Sequence, residues 1–229
     1  MELANQSKSH QVSSLAHLYK RHWSFHLLVV LSLLQVTGHL VSVYHLVLLK
    51  PLPIILLFFL CEKKARQEKT FAVGLVFSLI GDLCLLVKNI LVFQIGTGFF
   101  LIAHLLYIRA FMYDISWKKL LKLGRKRSIV IITFISFIMT LLAFNMSELW
   151  HKTPNLLLFL IYGIVLSAMA IFSSLRECSD SSYLLMLIGA LLFGVSDNTL
   201  AYLKFNGIST EAGAAFIMLT YYSAQCLLA

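Results

Sequence analysis

The ten residues Phe77–Leu86, "FSLIGDLCLL", put an aspartate inside an otherwise apolar run. No lysine or arginine stands three or four residues from Asp82 on either side, so no neighbour on the same helix face neutralises it. A lone carboxylate in a lipid-buried helix is costly. Such groups face the interior of a bundle, pair with groups on other helices and mark function. The run therefore reads as one helix of a membrane bundle in which a different helix supplies the compensating charge.

The rest of the chain agrees. Of its 229 residues, 59% are hydrophobic and only 13% are charged, against about 25% charged in a soluble domain. Mean hydropathy is +0.85. This surplus of apolar surface needs lipid, and no stretch between apolar segments is long enough to build a soluble domain. The net charge of +9 comes from basic residues gathered at helix ends. It reads as a topology signal and as attraction to anionic lipid headgroups rather than to nucleic acid. The four cysteines show no CxxC spacing, so neither a disulfide framework nor a metal site is expected. The first 23 residues are polar and do not read as a signal peptide.

A spanning helix needs about 17–25 apolar residues. Eight segments qualify, at 24–42, 44–61, 70–88, 90–112, 128–145, 154–174, 183–204 and 211–228. The second contains "LLKPLPIILLFFL", in which Pro51 and Pro53 interrupt the helix beside Lys50. Broken helices at membrane depth are tolerated where they line a polar cavity. With a cytoplasmic N-terminus, fourteen lysines and arginines fall on the cytoplasmic side, six of them between Lys118 and Arg127; Lys88, Lys152 and Lys204 fall on the other. That asymmetry favours eight spans, with both termini cytoplasmic. Trp23, Trp117 and Trp150 sit at span boundaries, as belt residues do.

A shift of 115 residues, about half the chain, lays Asp82 on Asp197, Gly74 on Gly189, Gly98 on Gly213 and Tyr107 on Tyr222. With eight spans the two halves of four would share one orientation, the pattern of a parallel repeat. The expected fold is thus all-α and polytopic: a polar cytoplasmic segment, 1–23, followed by an eight-helix transmembrane catalytic domain, 24–229.

Two of the ten acidic residues fall well inside spans, Asp82 and Asp197. Counted from the expected helix ends, both, together with Lys50, lie about 9–10 Å below the outer boundary. Lys50 is therefore the expected partner of Asp82, in a pocket shared with Asp197. A buried ion pair that only sets helix register is the bland alternative. Other polar groups at helical spacing are candidates for substrate contact or interhelical hydrogen bonding. They are His104 and Tyr107 in "FFLIAHLLYIRAF", Asn198 beside Asp197, and Tyr221, Tyr222 and Gln225 in "LTYYSAQCLL". Arg109 is expected to snorkel to the interface.

At these residues the chain resembles the lysoplasmalogenase family, the YhhN-like transmembrane proteins. The motifs that carry the resemblance are "LKPLPI" at 49–54, "SLIGDLCLL" at 78–86, "GTGFFLIAHLLYIRAF" at 96–111, "GALLFGVSDNTLAYLKF" at 189–205 and "TYYSAQ" at 220–225. The resemblance implies hydrolysis of the vinyl ether bond of a lysophospholipid substrate, a lysoplasmalogen. The products would be a fatty aldehyde and glycerophosphoethanolamine or glycerophosphocholine. It also implies an endoplasmic reticulum membrane, and catalytic roles for the aspartates of the GD and SD motifs, Asp82 and Asp197.

The chemistry suits two carboxyl groups. A vinyl ether hydrolyses by protonation at its β carbon, giving an oxocarbenium-like cation to which water adds. One protonated carboxyl can supply the proton while an ionised one stabilises the cation, as in glycosidases. No metal or other cofactor is expected. The alternative is a lipid or small-solute transporter, since parallel repeats, broken helices and midmembrane carboxylates also serve transport. A lipid-binding protein without chemistry is a third reading. Release of aldehyde from a lysoplasmalogen by purified protein separates the first from the other two.

Overall fold

The structure is a computed structural model that describes residues 26–38, 50–61, 66–87, 89–115, 156–176 and 180–229. The expected N-terminal segment, the span at 128–145, the basic loop at 118–127 and the three tryptophans lie outside the described residues. Among the described residues all regular structure is helical. We number the helices α1 (His26–Gly38), α2 (Leu52–Leu60), α3 (Arg66–Leu85), α4 (Ile90–Met112), α5 (Leu156–Ser174), α6 (Asp180–Phe205) and α7 (Glu211–Leu228). Ile90–Met112, Leu157–Ser174 and Leu184–Phe205 are long and apolar enough to cross a membrane. The surface is apolar too: Leu91, Leu157 and Ile164 are 65%, 69% and 63% exposed. A surface of this kind is solvated by lipid tails rather than by water.

Local chemistry sets the helix ends. Pro51 and Pro53 stand at the start of α2; the part of the expected span before Lys50, 44–49, lies outside the described residues. Pro51 is its N-cap residue and Pro53 lies in its first turn, where the missing N–H is no loss. Lys50 thereby comes directly before the helix start. The Asn89 side chain caps α4 by accepting from the backbone N–H of Leu91 at 2.8 Å, and Thr210 caps α7 at Gly213 N–H. Gly207, at φ +65°, ends α6. Ile208 N–H returns to Leu203 O at 2.9 Å, the left-handed stop that glycine permits.

From α2 to α7 each helix packs against the next, and α7 closes the ring onto α2. The tightest joints are the hairpins α3–α4 and α6–α7. In the first, a Cβ built on Gly74 would lie 2.5 Å from the Tyr107 ring, and one on Gly81 would lie 2.7 Å from the Phe100 ring. In the second, a Cβ on Gly189 would lie 2.9 Å from Leu227 Cβ. Small residues let helix backbones approach where the lipid supplies no hydrophobic drive. The Tyr107 ring cannot yield readily, because it stacks on Phe71 at 4.5 Å and its hydroxyl is hydrogen-bonded. Gly74→Ala is therefore expected to destabilise the protein by about 1–3 kcal/mol, read as a lower melting temperature in detergent. An unchanged melting temperature would show that the joint relaxes freely.

Counted from the observed helix ends, the two aspartates do not stand at the common depth expected of them; the helix start from which the depth of Lys50 was counted, near Tyr44, lies outside the described residues. Asp82 stands three residues before the last residue of α3 and Asp197 eight before that of α6, about 4.5 Å and 12 Å along the axes. The reason is that α3 ends at Leu85, before the apolar run does.

Candidate active site

The answer to the lone carboxylate is a lysine from outside its own helix. Lys50 Nζ lies 3.4 Å from Asp82 Oδ1, with both side chains buried. Tyr221 of α7 donates its hydroxyl to Asp82 Oδ2 at 2.9 Å. Tyr222, next in sequence, donates to the backbone carbonyl of Lys50 at 2.9 Å, and so ties the α2 entrance to α7. Two successive tyrosines thus hold the two halves of the ion pair. An unpaired ion here would carry its full desolvation cost, and the pairing together with the phenol bond removes most of that cost.

Behind the pair lies a hydrogen-bonded cluster. Gln225 Nε2 donates to Tyr221 OH and to Ser78 Oγ, each at 3.3 Å. Its Oε1 accepts from Tyr107 OH at 3.1 Å, and Tyr107 OH and Ser78 Oγ lie 3.0 Å apart. Asp82, Ser78, Tyr107, Tyr221 and Gln225 are all buried, and the pairing meets the requirement that buried polar groups find partners. It also holds α3, α4 and α7 in one register.

Asp197, half-buried on α6, has a different setting. Its Oδ2 accepts a hydrogen bond from Tyr162 OH of α5. No cation pairs with it among the described residues, and its Oδ1 has no donor there. The two carboxyl groups nevertheless belong to one core. The Phe193 ring, one turn before Asp197, packs edge-on against Tyr221 at 5.5 Å and against His104 at 4.7 Å. The His104 ring in turn meets that of Tyr162 at 5.3 Å.

The structure thus brings Lys50, Asp82, Tyr107, Tyr221, Tyr222 and Gln225 into one connected group. His104 sits beside that group, fully buried, and neither ring nitrogen has a hydrogen-bond partner among the described residues. The Asn198 amide donates back to Gly194 O of its own helix at 2.8 Å. Arg109 is exposed near the end of α4. Sequence reasoning passed over Tyr162 and Ser78. Each is a hydroxyl flanked by apolar residues, Tyr162 in "FLIYGIV" and Ser78 four residues before Asp82. The helical spacing from Ser78 to Asp82 was the one available signal.

A cavity of about 480 Å³ lies toward the Arg66 end of α3, with Leu57, Cys61, Phe71, Phe111, Arg176 and Cys226 in its wall. Neither aspartate lines it. Phe71 stacks on Tyr107, so the cavity ends against the far side of the hydrogen-bonded cluster. Near its rim, Arg176 is held by two bonds to Asp114 Oδ2, at 2.9 and 2.7 Å. Among the described residues no group of three or more His, Cys, Asp or Glu side chains is placed to hold a metal ion.

The model of the YhhN family matches residues 45–229. Lysoplasmalogenase TMEM86B of Sus scrofa is 33% identical over 156 residues, which are 68% of this chain and 59% of that protein. Lysoplasmalogenase TMEM86A of Bos taurus is 31% identical over 157 residues, 69% of this chain and 62% of that protein. The chain spans about three fifths of the length of these relatives. No solved structure matches it.

Proposed function

We propose that this chain, which belongs to the YhhN family, is a membrane-embedded hydrolase of the lysoplasmalogenase type. It cleaves the vinyl ether bond of a lysoplasmalogen to a fatty aldehyde and glycerophosphoethanolamine or glycerophosphocholine. The observation that carries this reading is the pair of carboxyl groups in one core, Asp82 with a lysine and a tyrosine, Asp197 with a tyrosine and, among the described residues, no cation. Vinyl ether hydrolysis needs a proton donor and a stabiliser of positive charge, and it needs nothing redox-active. The names of the two relatives, both lysoplasmalogenases, support the substrate class. Lys50, Tyr107, Tyr221, Tyr222 and Gln225 shape and orient the site, with His104 at its edge. Substrate reaches it from the bilayer, where a single-chain lipid already resides.

The test is direct. Protein purified in detergent is expected to release long-chain aldehyde from a lysoplasmalogen and none from the corresponding saturated ether lipid, which cannot form the cation by protonation at carbon. Binding of both lipids with no aldehyde from either would refute the hydrolase reading and return the alternative of a transporter.

For the bilayer we propose eight spans in two parallel halves of four, in the endoplasmic reticulum membrane, with both termini cytoplasmic. The lysine and arginine asymmetry supports this arrangement. Single cysteines introduced near residue 8 and at Ala229, in a background without native cysteine, are expected to react with an impermeant reagent from the same face of sealed vesicles. Reaction from opposite faces would rule out an even number of spans.

A further inference from the structure

We infer that the two aspartates have fixed and different roles: Asp197 delivers the proton, Asp82 stays ionised, and Tyr162 and Tyr221 are their respective positioning residues. This deepens the proposed hydrolysis and rests on it. The argument is one of donors and acceptors. A carboxyl group that protonates a substrate must carry its proton on an oxygen that is not already receiving one. Both oxygens of Asp82 are taken, Oδ1 by Lys50 Nζ and Oδ2 by Tyr221 OH. An ammonium group has only donors to offer. Tyr221 has no choice either, because its oxygen accepts from Gln225 Nε2 and its own proton is left for Asp82. Asp82 is therefore an acceptor on both sides, the role of a carboxylate. Giving it a proton would break one of these bonds and leave Lys50 a buried cation beside a neutral acid.

Asp197 has the opposite arrangement. Tyr162 donates to Oδ2, and Oδ1 has no donor among the described residues. A protonated Asp197 keeps the Tyr162 bond, since a carbonyl oxygen still accepts it, and presents Oδ1–H for transfer. With no cation beside it among the described residues, loss of its charge breaks no pairing there. Sequence alone shows two equivalent aspartates 115 residues apart; the partners make them unlike.

The step balances as follows. The Oδ1 proton of Asp197 passes to the β carbon of the vinyl ether, the π pair becomes the new C–H bond, and the ether oxygen shares the resulting cation. Asp197 is left as a carboxylate, and the Asp82 charge stabilises the cation across the core. Water adds to the cationic carbon and returns one proton to Asp197. The hemiacetal then breaks its C–O bond to give the aldehyde and the glycerol hydroxyl. One water is consumed.

The titratable groups around each acid are these. Among the described residues, Lys50 and Tyr221 contact Asp82, with Tyr222 on the Lys50 carbonyl and Tyr107 linked through Gln225 to Tyr221; Tyr162 contacts Asp197, with His104 behind Tyr162. The test uses the pH profile of turnover by the full chain. Tyr162→Phe is expected to move the alkaline limb, where the donor loses its proton, by about one pH unit and leave the acid limb in place. Tyr221→Phe is expected to move the acid limb alone. A second measurement uses deuterated water, with the aldehyde trapped by reduction to the alcohol so that its second carbon cannot exchange. Wild type and Asp82→Asn are both expected to place deuterium on one face of that carbon, because the donor is intact in each. Exchanged limbs, an alkaline limb unmoved by Tyr162→Phe, or deuterium on both faces from Asp82→Asn would each overturn the assignment. If wild type released no aldehyde at all, the hydrolase reading would fail instead.

Discussion

Asp82→Asn and Asp197→Asn are each expected to lower aldehyde release by about 10²–10⁴-fold, the range in which positioned acid–base groups contribute. Asparagine keeps the side chain's shape and an oxygen acceptor but holds neither a carboxyl proton nor a charge. The two variants should differ in stability. Asp82→Asn leaves Lys50 Nζ without its counter-ion in a buried site, so it should melt earlier than wild type. Asp197→Asn strands no cation among the described residues and can still accept from Tyr162, so its melting temperature should stay close to that of wild type. If the two groups act as one unit, the double variant should be hardly slower than either single one, because effects within a unit are not additive. Near-normal turnover by a well-folded Asp197→Asn protein would end the two-carboxyl mechanism and leave Asp82 as a packing charge.

Lys50→Met should have the largest effect on stability. Lys50 is only 6% exposed and its partner is buried with it, and removing one member of a buried pair costs about 3–5 kcal/mol. The expected results are a large drop in melting temperature in detergent and loss of turnover. The informative comparison is Lys50→Met combined with Asp82→Asn, which removes both charges. Melting temperature should recover substantially, because no buried ion is stranded, while turnover should stay low. Recovery of turnover along with stability would mean that the pair serves packing alone. A Lys50→Met protein that melts and turns over like wild type would show that Lys50 does not compensate Asp82.

Much of this was legible from the residue order, and the physics says which part. The bounds of α4 and α7 coincide with the apolar runs 90–112 and 211–228, because hydropathy reports burial in lipid directly and each run begins just after a polar cap, Asn89 or Thr210. Asp82 and Asp197 stood out for the same reason, as charges with no helical neighbour to neutralise them. The helical spacing of Tyr221 and Gln225 placed them on one face, and the structure joins them by a hydrogen bond. The start of α2 was harder to read. A proline inside an apolar run is compatible with a break or with a beginning; the structure puts Pro53 in the first turn of α2, while residues 44–49, where a preceding half-helix would lie, are outside the described residues.

Other features belong to the tertiary structure alone. Under the 115-residue shift, the counterpart of Tyr221 is Leu106, which has no hydroxyl. The phenol that holds Asp197 therefore comes from elsewhere, from Tyr162 on α5, in a run whose composition reads as plain core. An aromatic hydroxyl in an apolar helix carries no label saying which way it faces; packing between helices gives it a partner. Composition thus determined that the chain is a helical membrane protein with two carboxyl groups inside it. Which donors meet each carboxyl oxygen, and so which group is left able to hold a proton, was decided only where the helices close on one another, because those contacts join residues up to 172 positions apart that no local pattern relates.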